Sequence, residues 1–331
     1  MERRVTGRTR YAALTPLVAI VALAVFAASA GAATPAAAPV KATVRLALPD
    51  AFFVSGQPVT VPGRVLHVAG VVRPYVPDQW VNVRAFLGAR LIKTAHVRVR
   101  AAGHGAFGEF TAAFSSPGVG VVAVAVGHHR TRAMLSFLAH RRLSALDEHV
   151  GFGSTGRFVQ LIQQRLAALH FYIPQTGVYD AGTGLALDAY HRLLHWGTYQ
   201  TLDGHTVSYL LAGWGAFPVR YPRNGRHAEA NLSLQLLALV DGSRVRSIYP
   251  ISSGKPSTPT ILGNYRIYSR VPGYLPDGMY YSNFFTGGYA IHGYDPAPDY
   301  PASHGCMRVP IVDAIPIYDW LNYGDWVDVY Y

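Results

Sequence analysis

The first long region with a regular pattern is one in which apolar and polar positions alternate. From about residue 42 to 140, residues such as Val81 and Val83 alternate with polar neighbours. That period of two is typical of strands with one buried face. Turn signals such as Pro62-Gly63 separate the runs. Short strands divided by regular turns predict an all-β sandwich, which we expect to serve as a spacer.

The period changes to that of a helix between about 148 and 212. Apolar residues recur at helical spacing from Phe158 to Leu166, and neither proline nor glycine interrupts residues 157–173. A second helix is predicted from near Ala181 to Leu194, and a short third one ends at Gly213. We therefore expect a small three-helix bundle.

Strand patterns return from about 218 to 331. Asp241-Gly242 is a hairpin turn signal between two apolar runs. The predicted elements here are strands over 233–240, 247–251 and 326–330 and a helix over roughly 312–321. Residues 218–331 should form a mostly-β domain.

The N-terminus has the pattern of an export signal. Four arginines in the first ten residues precede an uncharged run over 11–30 that ends in Ala28-Ser29-Ala30. We expect residues 1–30 to be a signal peptide, with an uncleaved membrane anchor as the alternative. Residues 31–41 form a low-complexity linker. Either way we expect the remainder to lie outside the cytoplasmic membrane, in the cell wall or a periplasm-like space, or secreted.

Composition and charge agree with an exported, folded protein. With 331 residues, 50% of them hydrophobic and 14% charged, the chain can build two or three domains. Removing residues 1–30 takes four arginines and one glutamate from a net charge of +11 and leaves +8. A basic protein suits a polyanionic cell wall, although positive charge can also serve solubility alone. The sequence has no basic stripe with interleaved aromatic residues, the pattern that would predict nucleic-acid binding.

Cys306 is the only cysteine, so it has no partner for an internal disulfide. It is either reactive or an inert buried thiol. A cysteine nucleophile needs a base such as an imidazole, and that imidazole needs a third group to orient it. His292 follows a plausible strand, Gly293 supplies a carbonyl, and the N–H groups of Gly305 and Cys306 could form an oxyanion hole.

Other uses of these side chains remain open from the residues alone. The guanidinium of Arg308 suits a substrate carboxylate, or pairs with Asp313 or Asp319. His304 has a structural or a chemical role. Zinc binding by His292, His304 and Cys306 is the weaker idea because no fourth ligand stands at suitable spacing. We expect no metal and no cofactor.

The motifs around the cysteine resemble the signature of the L,D-transpeptidase catalytic domain. They are Ile291-His292-Gly293, Ser303-His304-Gly305-Cys306-Met307-Arg308, Gly254, Thr258-Pro259-Thr260 and Gly263-Asn264-Tyr265. The resemblance covers about 110 residues, with the motifs in the expected order. Met307 stands where a branched aliphatic residue is more usual.

The resemblance implies a reaction and a role for each site residue. Cys306 would be the nucleophile that attacks a peptidoglycan tetrapeptide stem, and terminal D-alanine would leave. The side-chain amine of a diamino acid in a second stem would resolve the thioester, giving a 3→3 cross-link. His292 would be the general base and Gly293 its orienting carbonyl. Ser303 and His304 would shape the site, the N–H groups of His304, Gly305 and Cys306 would line the oxyanion hole, and Arg308 would engage substrate or brace the loop.

Two further resemblances complete the domain picture. Residues 42–140 resemble bacterial immunoglobulin-like domains. Residues 148–212 resemble the three-helix peptidoglycan-binding domain, through Gly153, Gly156, the 159–166 helix, Gly177-Val-Tyr-Asp180, Thr183 and Asp203-Gly204. His191 stands where that family often has glutamine, and Val207-Ser208 where it has a Thr-Trp pair.

The expected protein is multidomain and mainly β: a sandwich, a small helix bundle and an L,D-transpeptidase domain. We expect a monomer whose partner is peptidoglycan. Two other functions remain open: an L,D-carboxypeptidase that uses water as acceptor, and a non-catalytic wall-binding protein.

Overall fold

Ten strands between residues 43 and 145 form two sheets that share one core. In this computed structural model, which describes residues 38–331, the first sheet has the order β1-β4-β8-β7 and the second β2-β3-β10-β9-β5-β6. The strands are β1 Thr43–Ala47, β2 Phe52–Val54, β3 Gln57–Thr60, β4 Val65–Arg73, β5 Trp80–Leu87, β6 Arg90–Arg98, β7 Arg100–Ala102, β8 Phe107–Ser115, β9 Gly120–His128 and β10 Phe137–Ala145.

The apolar positions of the alternating pattern face the core, as predicted. Val81 and Val83 are buried between the sheets, together with Leu66 and Val68 of the facing sheet. The resemblance of residues 42–140 to bacterial immunoglobulin-like domains stays a prediction. The predicted signal peptide or anchor over 1–30, and all of the 31–41 linker up to residue 37, lie outside the described residues.

Three helices follow, as the change of period predicts. They are α1 Arg157–Ala168, α2 Ala181–Leu193 and α3 Gly204–Ala212. Asp180 and Asp203 cap α2 and α3 by accepting hydrogen bonds from backbone N–H groups of the first turn. Gly213 ends α3 in the left-handed conformation, with φ of 79°. None of the helices within residues 38–331 is long and apolar enough to cross a bilayer.

The remaining strands form two more sheets, with orders β13-β12-β11-β19-β14 and β15-β16-β17-β18. Their elements are β11 Arg226–Asn231, β12 Leu236–Asp241, β13 Arg244–Pro250, β14 Gly263–Arg266, β15 Ser269–Tyr274, β16 Tyr280–Thr286, β17 Tyr289–Gly293, β18 Met307–Val309, α4 Ile311–Trp320 and β19 Trp326–Tyr330. The predicted hairpin, the helix after the cysteine and the last strand are all present. A core that includes Ile291, Met307 and Ile317 joins α4 to these sheets.

The helical segment packs against the five-stranded sheet that contains β12 and β13. Side chains of β12 and β13, such as Leu236 and Ile248, belong to the same buried cluster as the helices. The backbone contributes as well: Tyr172 N–H donates to the Ile248 carbonyl (3.0 Å), and Ile248 N–H donates to the His170 carbonyl (2.8 Å). The segment after α1 therefore extends the edge of this sheet.

A buried ion pair within α2 lies at the same boundary. Arg192 lies 2.5 Å from Asp188 on α2, and their side chains are 5% and 4% exposed. The guanidinium also donates to the carbonyls of Gln235 (3.0 Å) and Ile251 (3.1 Å). Arg192 thus ties the helices to the segments that follow β11 and β13.

Replacing Arg192 with methionine is expected to lower the free energy of unfolding by about 3–5 kcal/mol, because Asp188 is left as an unpaired buried charge. Urea unfolding followed by circular dichroism measures the change. The double variant Asp188→Asn with Arg192→Met serves as the control and should recover part of the loss. A single variant that loses less than about 1 kcal/mol would show that the pair does not hold this boundary.

Candidate active site

His292 lies in β17 with its ring almost fully buried, at 3% exposure. Its Nδ1–H donates to the Gly293 carbonyl at 3.0 Å. This hydrogen bond leaves Nε2 as the nitrogen that can accept a proton. Gly293 also has a steric reason for its identity, since a Cβ there would stand 2.8 Å from the Cβ of Ala314.

Cys306 precedes β18, which pairs in parallel with β17. The register places Ile291 opposite Met307 and His292 opposite Arg308. His292 and Arg308 lie opposite each other in this register, so their side chains are on the same face of the sheet, and Cys306 lies in the bend directly before β18. The Cys306 thiol, which is half-buried, lies 3.5 Å from the Gly288 carbonyl.

The surroundings favour the neutral form of both groups. Burial lowers the pKa of His292, and the hydrogen bond to the Gly293 carbonyl offsets only part of this effect. Burial raises the pKa of the Cys306 thiol, against the opposing effect of the Ala290 N–H. The positive charge of Arg308 lowers both pKa values, and the negative charge of Asp277 raises both. A neutral thiol and a neutral imidazole are the forms that suit proton transfer during attack.

Ser303 closes the turn that carries the cysteine. Its hydroxyl donates to the Cys306 carbonyl (2.5 Å) and accepts from Gly305 N–H (3.0 Å). Gly305 has φ of 121°, and a Cβ there would come within 2.4 Å of the Tyr289 ring. Only glycine fits this position without displacing Tyr289.

This turn changes the expected oxyanion hole. The prediction counted Gly305 N–H among its donors, but Ser303 accepts that hydrogen bond. Within residues 38–331, the N–H groups of His304 and Cys306 donate to no other group. The backbone geometry therefore leaves these two donors for a developing negative charge.

A neighbouring segment holds the turn in place from behind. The Ser253 carbonyl accepts from the N–H groups of Ala302 (2.9 Å) and Ser303 (3.0 Å). The Thr260 hydroxyl donates to the Gly305 carbonyl at 2.8 Å. Gln235 in turn accepts from Ser253 N–H at 2.8 Å. Gln235 carries no motif signal, and sequence reasoning did not find it.

His304 and Arg308 occupy the rim. His304 is exposed, and its Nε2 lies 3.2 Å from Lys255 Nζ. The Arg308 guanidinium stacks on Tyr294, 4.1 Å from the ring centroid. No ion pair in the described part of the chain joins Arg308 to Asp313 or Asp319, the pairing that the sequence left open. Among residues 38–331 no group of three or more His, Cys, Asp or Glu side chains is arranged to hold a metal.

Replacing Ser303 with alanine is expected to lower the rate of acyl transfer on the order of 10–100-fold, because the turn loses both hydrogen bonds that set the Cys306 backbone. Initial rates on a soluble muropeptide donor measure the effect. Ser282→Ala is the matched control, since Ser282 is a buried serine whose hydroxyl has no partner within residues 38–331. Equal rates for both variants and the wild type would remove Ser303 from the site.

The C-terminal part of the chain is similar to known proteins. The family model for the L,D-transpeptidase catalytic domain (YkuD) matches residues 225–329, which is less than half of the chain. No curated protein matches. The crystal structure of an L,D-transpeptidase from Xylanimonas cellulosilytica is 29% identical, with a TM-score of 0.52, over 56% of this chain and 98% of that one.

Two other solved structures are more distant. An L,D-transpeptidase from Stackebrandtia nassauensis is 19% identical with a TM-score of 0.36, over 55% of this chain and 95% of that one. An L,D-transpeptidase from Mycobacterium tuberculosis is 21% identical with a TM-score of 0.31, over 32% of this chain and 58% of that one. The family match and the Xylanimonas cellulosilytica structure carry the conclusion: residues 225–329 have the fold of the L,D-transpeptidase catalytic domain.

Proposed function

We propose that this protein is a cysteine L,D-transpeptidase that forms 3→3 cross-links between peptidoglycan stem peptides outside the cytoplasmic membrane. The observation that supports this most is the buried imidazole of His292, held in one tautomer by the Gly293 carbonyl, on the strand that pairs with the strand directly after Cys306. Acyl transfer by a cysteine needs a base that is fixed in this way. The family match gives the reaction class.

Acylation follows from the geometry of these groups. His292 Nε2 takes the thiol proton as Sγ attacks the carbonyl of the third stem residue. The oxygen of that carbonyl becomes negatively charged and accepts hydrogen bonds from the free N–H groups at His304 and Cys306. As the tetrahedral intermediate collapses, the C–N bond breaks and D-alanine leaves with the proton from His292. The product is a thioester on Cys306.

Deacylation reverses the roles with a new nucleophile. The side-chain amine of a diamino acid in a second stem attacks the thioester carbonyl, and His292 takes one of its protons. The C–S bond breaks, and the departing sulfur recovers the proton. If water takes the place of the amine, the product is a tripeptide and the protein is an L,D-carboxypeptidase.

In this proposal the remaining parts of the chain bring the catalytic domain to its substrate. The N-terminal segment over 1–30 directs export, the helical segment binds peptidoglycan, and no cofactor takes part. Arg308, which lies opposite His292 in the paired strands, offers its guanidinium to a stem carboxylate. A wall-binding protein without activity is the opposing possibility, in which His292 and Cys306 would have no chemical role.

The decisive experiment supplies the purified protein with disaccharide-tetrapeptides of defined structure and separates the products by liquid chromatography with mass spectrometry. We expect dimers with a 3→3 linkage and free D-alanine in equal amounts. Tripeptide and D-alanine without dimers would favour the carboxypeptidase. Unchanged substrate, with folding verified by circular dichroism, would overturn the enzyme proposal.

A further inference from the structure

The positive charge of the described chain is concentrated in the two-sheet segment. Residues 38–146 hold thirteen Lys and Arg against three Asp and Glu, a net charge of +10 with histidine neutral. Residues 147–331 hold twelve against fourteen, a net charge of −2. A field of one sign over a single segment attracts an anionic partner, and it surrounds a surface that the catalytic proposal does not use.

That surface is a trough on the outer face of the six-stranded sheet. Alternate residues of β9, namely Ala123, Ala125 and Gly127, point away from the core and have almost no side chain. The neighbouring strands β5 and β10 carry long side chains at the same levels. The paired rows are Asn82–Gly127–Leu138, Arg84–Ala125–His140 and Phe86–Ala123–Arg142.

The dimensions suit one extended polymer chain. The strands β5 and β10 flank β9, so the two walls are about 10 Å apart. From Gly127 to Ala123 the floor is roughly 13 Å long, about the length of two or three sugar rings. A hollow of about 500 Å³ lies over the end of this floor that Gly127 and Ala125 form. A duplex nucleic acid, whose major groove alone is about 12 Å wide, is too broad to enter between the walls.

One end of the trough has an aromatic plate. The rings of Trp80 and His96 stack with an interplanar angle of 4° and centroids 4.7 Å apart, and Trp80 remains 42% exposed. Asn82, which contacts His96 at 2.8 Å, joins this plate to the first row of the trough. A flat, rigid and exposed aromatic ring is suited to stack on the apolar face of a sugar.

Unpaired acceptors lie at the same end. His128 Nδ1–H donates to the Trp80 carbonyl (2.8 Å), which leaves Nε2 as an acceptor. His128 Nε2 and Gln79 Oε1 are buried and have no hydrogen-bond partner within residues 38–331. Both residues line a second hollow, of about 360 Å³, beside Trp80. This hollow also touches Asn82, so it continues the trough past Trp80.

The walls carry cations that are free to pair. Arg84 and Arg142 are exposed on opposite walls, and neither takes part in an ion pair within residues 38–331. The three rows hold no carboxylate. Asp78, near the Trp80 end, is already paired with Arg98 at 2.6 Å. Exposed guanidinium groups in this arrangement suit carboxylates that branch from a chain.

We propose that this trough binds a single un-cross-linked peptidoglycan strand, with a sugar ring on Trp80 and stem-peptide carboxylates at Arg84 and Arg142. The choice of peptidoglycan among anionic glycans rests on the proposed function. The two-sheet segment then holds a strand rather than acting as a spacer, and it recognises the part of the substrate that the catalytic site does not contact.

The test measures binding to soluble, un-cross-linked glycan strands that retain their stem peptides, by isothermal calorimetry at moderate ionic strength. All proteins carry Cys306→Ala, so binding is observed without catalysis. Trp80→Ala, and the pair Arg84→Gln with Arg142→Gln, should each raise Kd on the order of tenfold, as loss of an aromatic or arginine anchor does. Ala125→Phe fills the trough floor and should also abolish tight binding, independently of the wall residues.

The matched control removes the same charge from the other sheet. Arg45 and Arg100 are exposed on β1 and β7, and their joint replacement by glutamine should change Kd less than twofold. Melting temperatures verify that every variant is folded. An equal loss for the control pair, equal competition by duplex DNA, or wild-type affinity in Ala125→Phe would overturn the proposal. Because the dimer-forming assay uses single disaccharide-peptides, its failure and the failure of strand binding are separate results.

Discussion

Replacing Cys306 with alanine is expected to reduce 3→3 dimer formation to background, a loss on the order of 10⁴-fold or more. The covalent intermediate cannot form without the thiol, and no other cysteine exists in the 331 residues to replace it. Intact-protein mass spectrometry during turnover should show an acyl adduct on the wild type and none on the variant. The side chain is small and half-buried, so the fold should be unaffected.

A carbapenem provides the control for this prediction. Its strained carbonyl should acylate the thiol, and peptide mapping should place the adduct on Cys306 of the wild type. Strand binding should persist in Cys306→Ala, which separates the chemistry from attachment to the wall. Dimer formation by the variant at the wild-type rate, or an adduct on another residue, would contradict the assignment of the nucleophile.

Local patterns predict the elements of this fold well because they record burial. The period-two alternation at Val81 and Val83 and the helical stripe from Phe158 to Leu166 both describe faces that the structure buries. The Asp241-Gly242 turn likewise forms the predicted hairpin. Each of these signals lies within one element, where the side chain's environment follows from its neighbours along the chain.

Contacts between distant segments carry no such local signal. The Asp188–Arg192 pair reads as an ordinary pair one helical turn apart, yet Arg192 reaches the carbonyls of Gln235 and Ile251. Gln235 then holds Ser253, whose carbonyl holds the turn before the cysteine. The path from the helices to the catalytic turn depends on tertiary packing, which periodicity does not describe.

At the candidate active site too, the local motif predicts some features, whereas others depend on residues that are distant in sequence. The motif predicts the hydrogen bond between His292 and the Gly293 carbonyl, which the structure has, and the pairing of Cys306 with His292 stays a prediction. It does not predict that Ser303 accepts the N–H of Gly305, because the positive φ at Gly305 and the Tyr289 ring beside it set that geometry. Nor does it give the protonation state, which follows from the burial of both reacting groups.

Replacing His292 with alanine is expected to lower the rate of transpeptidation by about 10³-fold, because the thiol then has no base to accept its proton during attack. Alkylation of Cys306 by iodoacetamide at high pH should be almost unchanged, since hydroxide in bulk water forms the thiolate there. Parallel measurements of dimer formation and of alkylation test this. Loss of both would indicate a damaged fold, whereas loss of neither would remove His292 from the reaction.

The same pair of groups sets the dependence on pH. Protonated His292 cannot accept the thiol proton, and burial lowers its pKa, so kcat/KM should stay level down to pH 6.5 and fall only below it. Burial raises the pKa of Cys306, so alkylation without substrate should increase only above about pH 8.5, the range of an ordinary thiol. Rapid alkylation that is level between pH 5 and 7 would instead reveal a resting thiolate–imidazolium pair. In that case His292 would stabilise a thiolate that already exists, and the substrate would meet a charged nucleophile rather than a neutral thiol activated during attack.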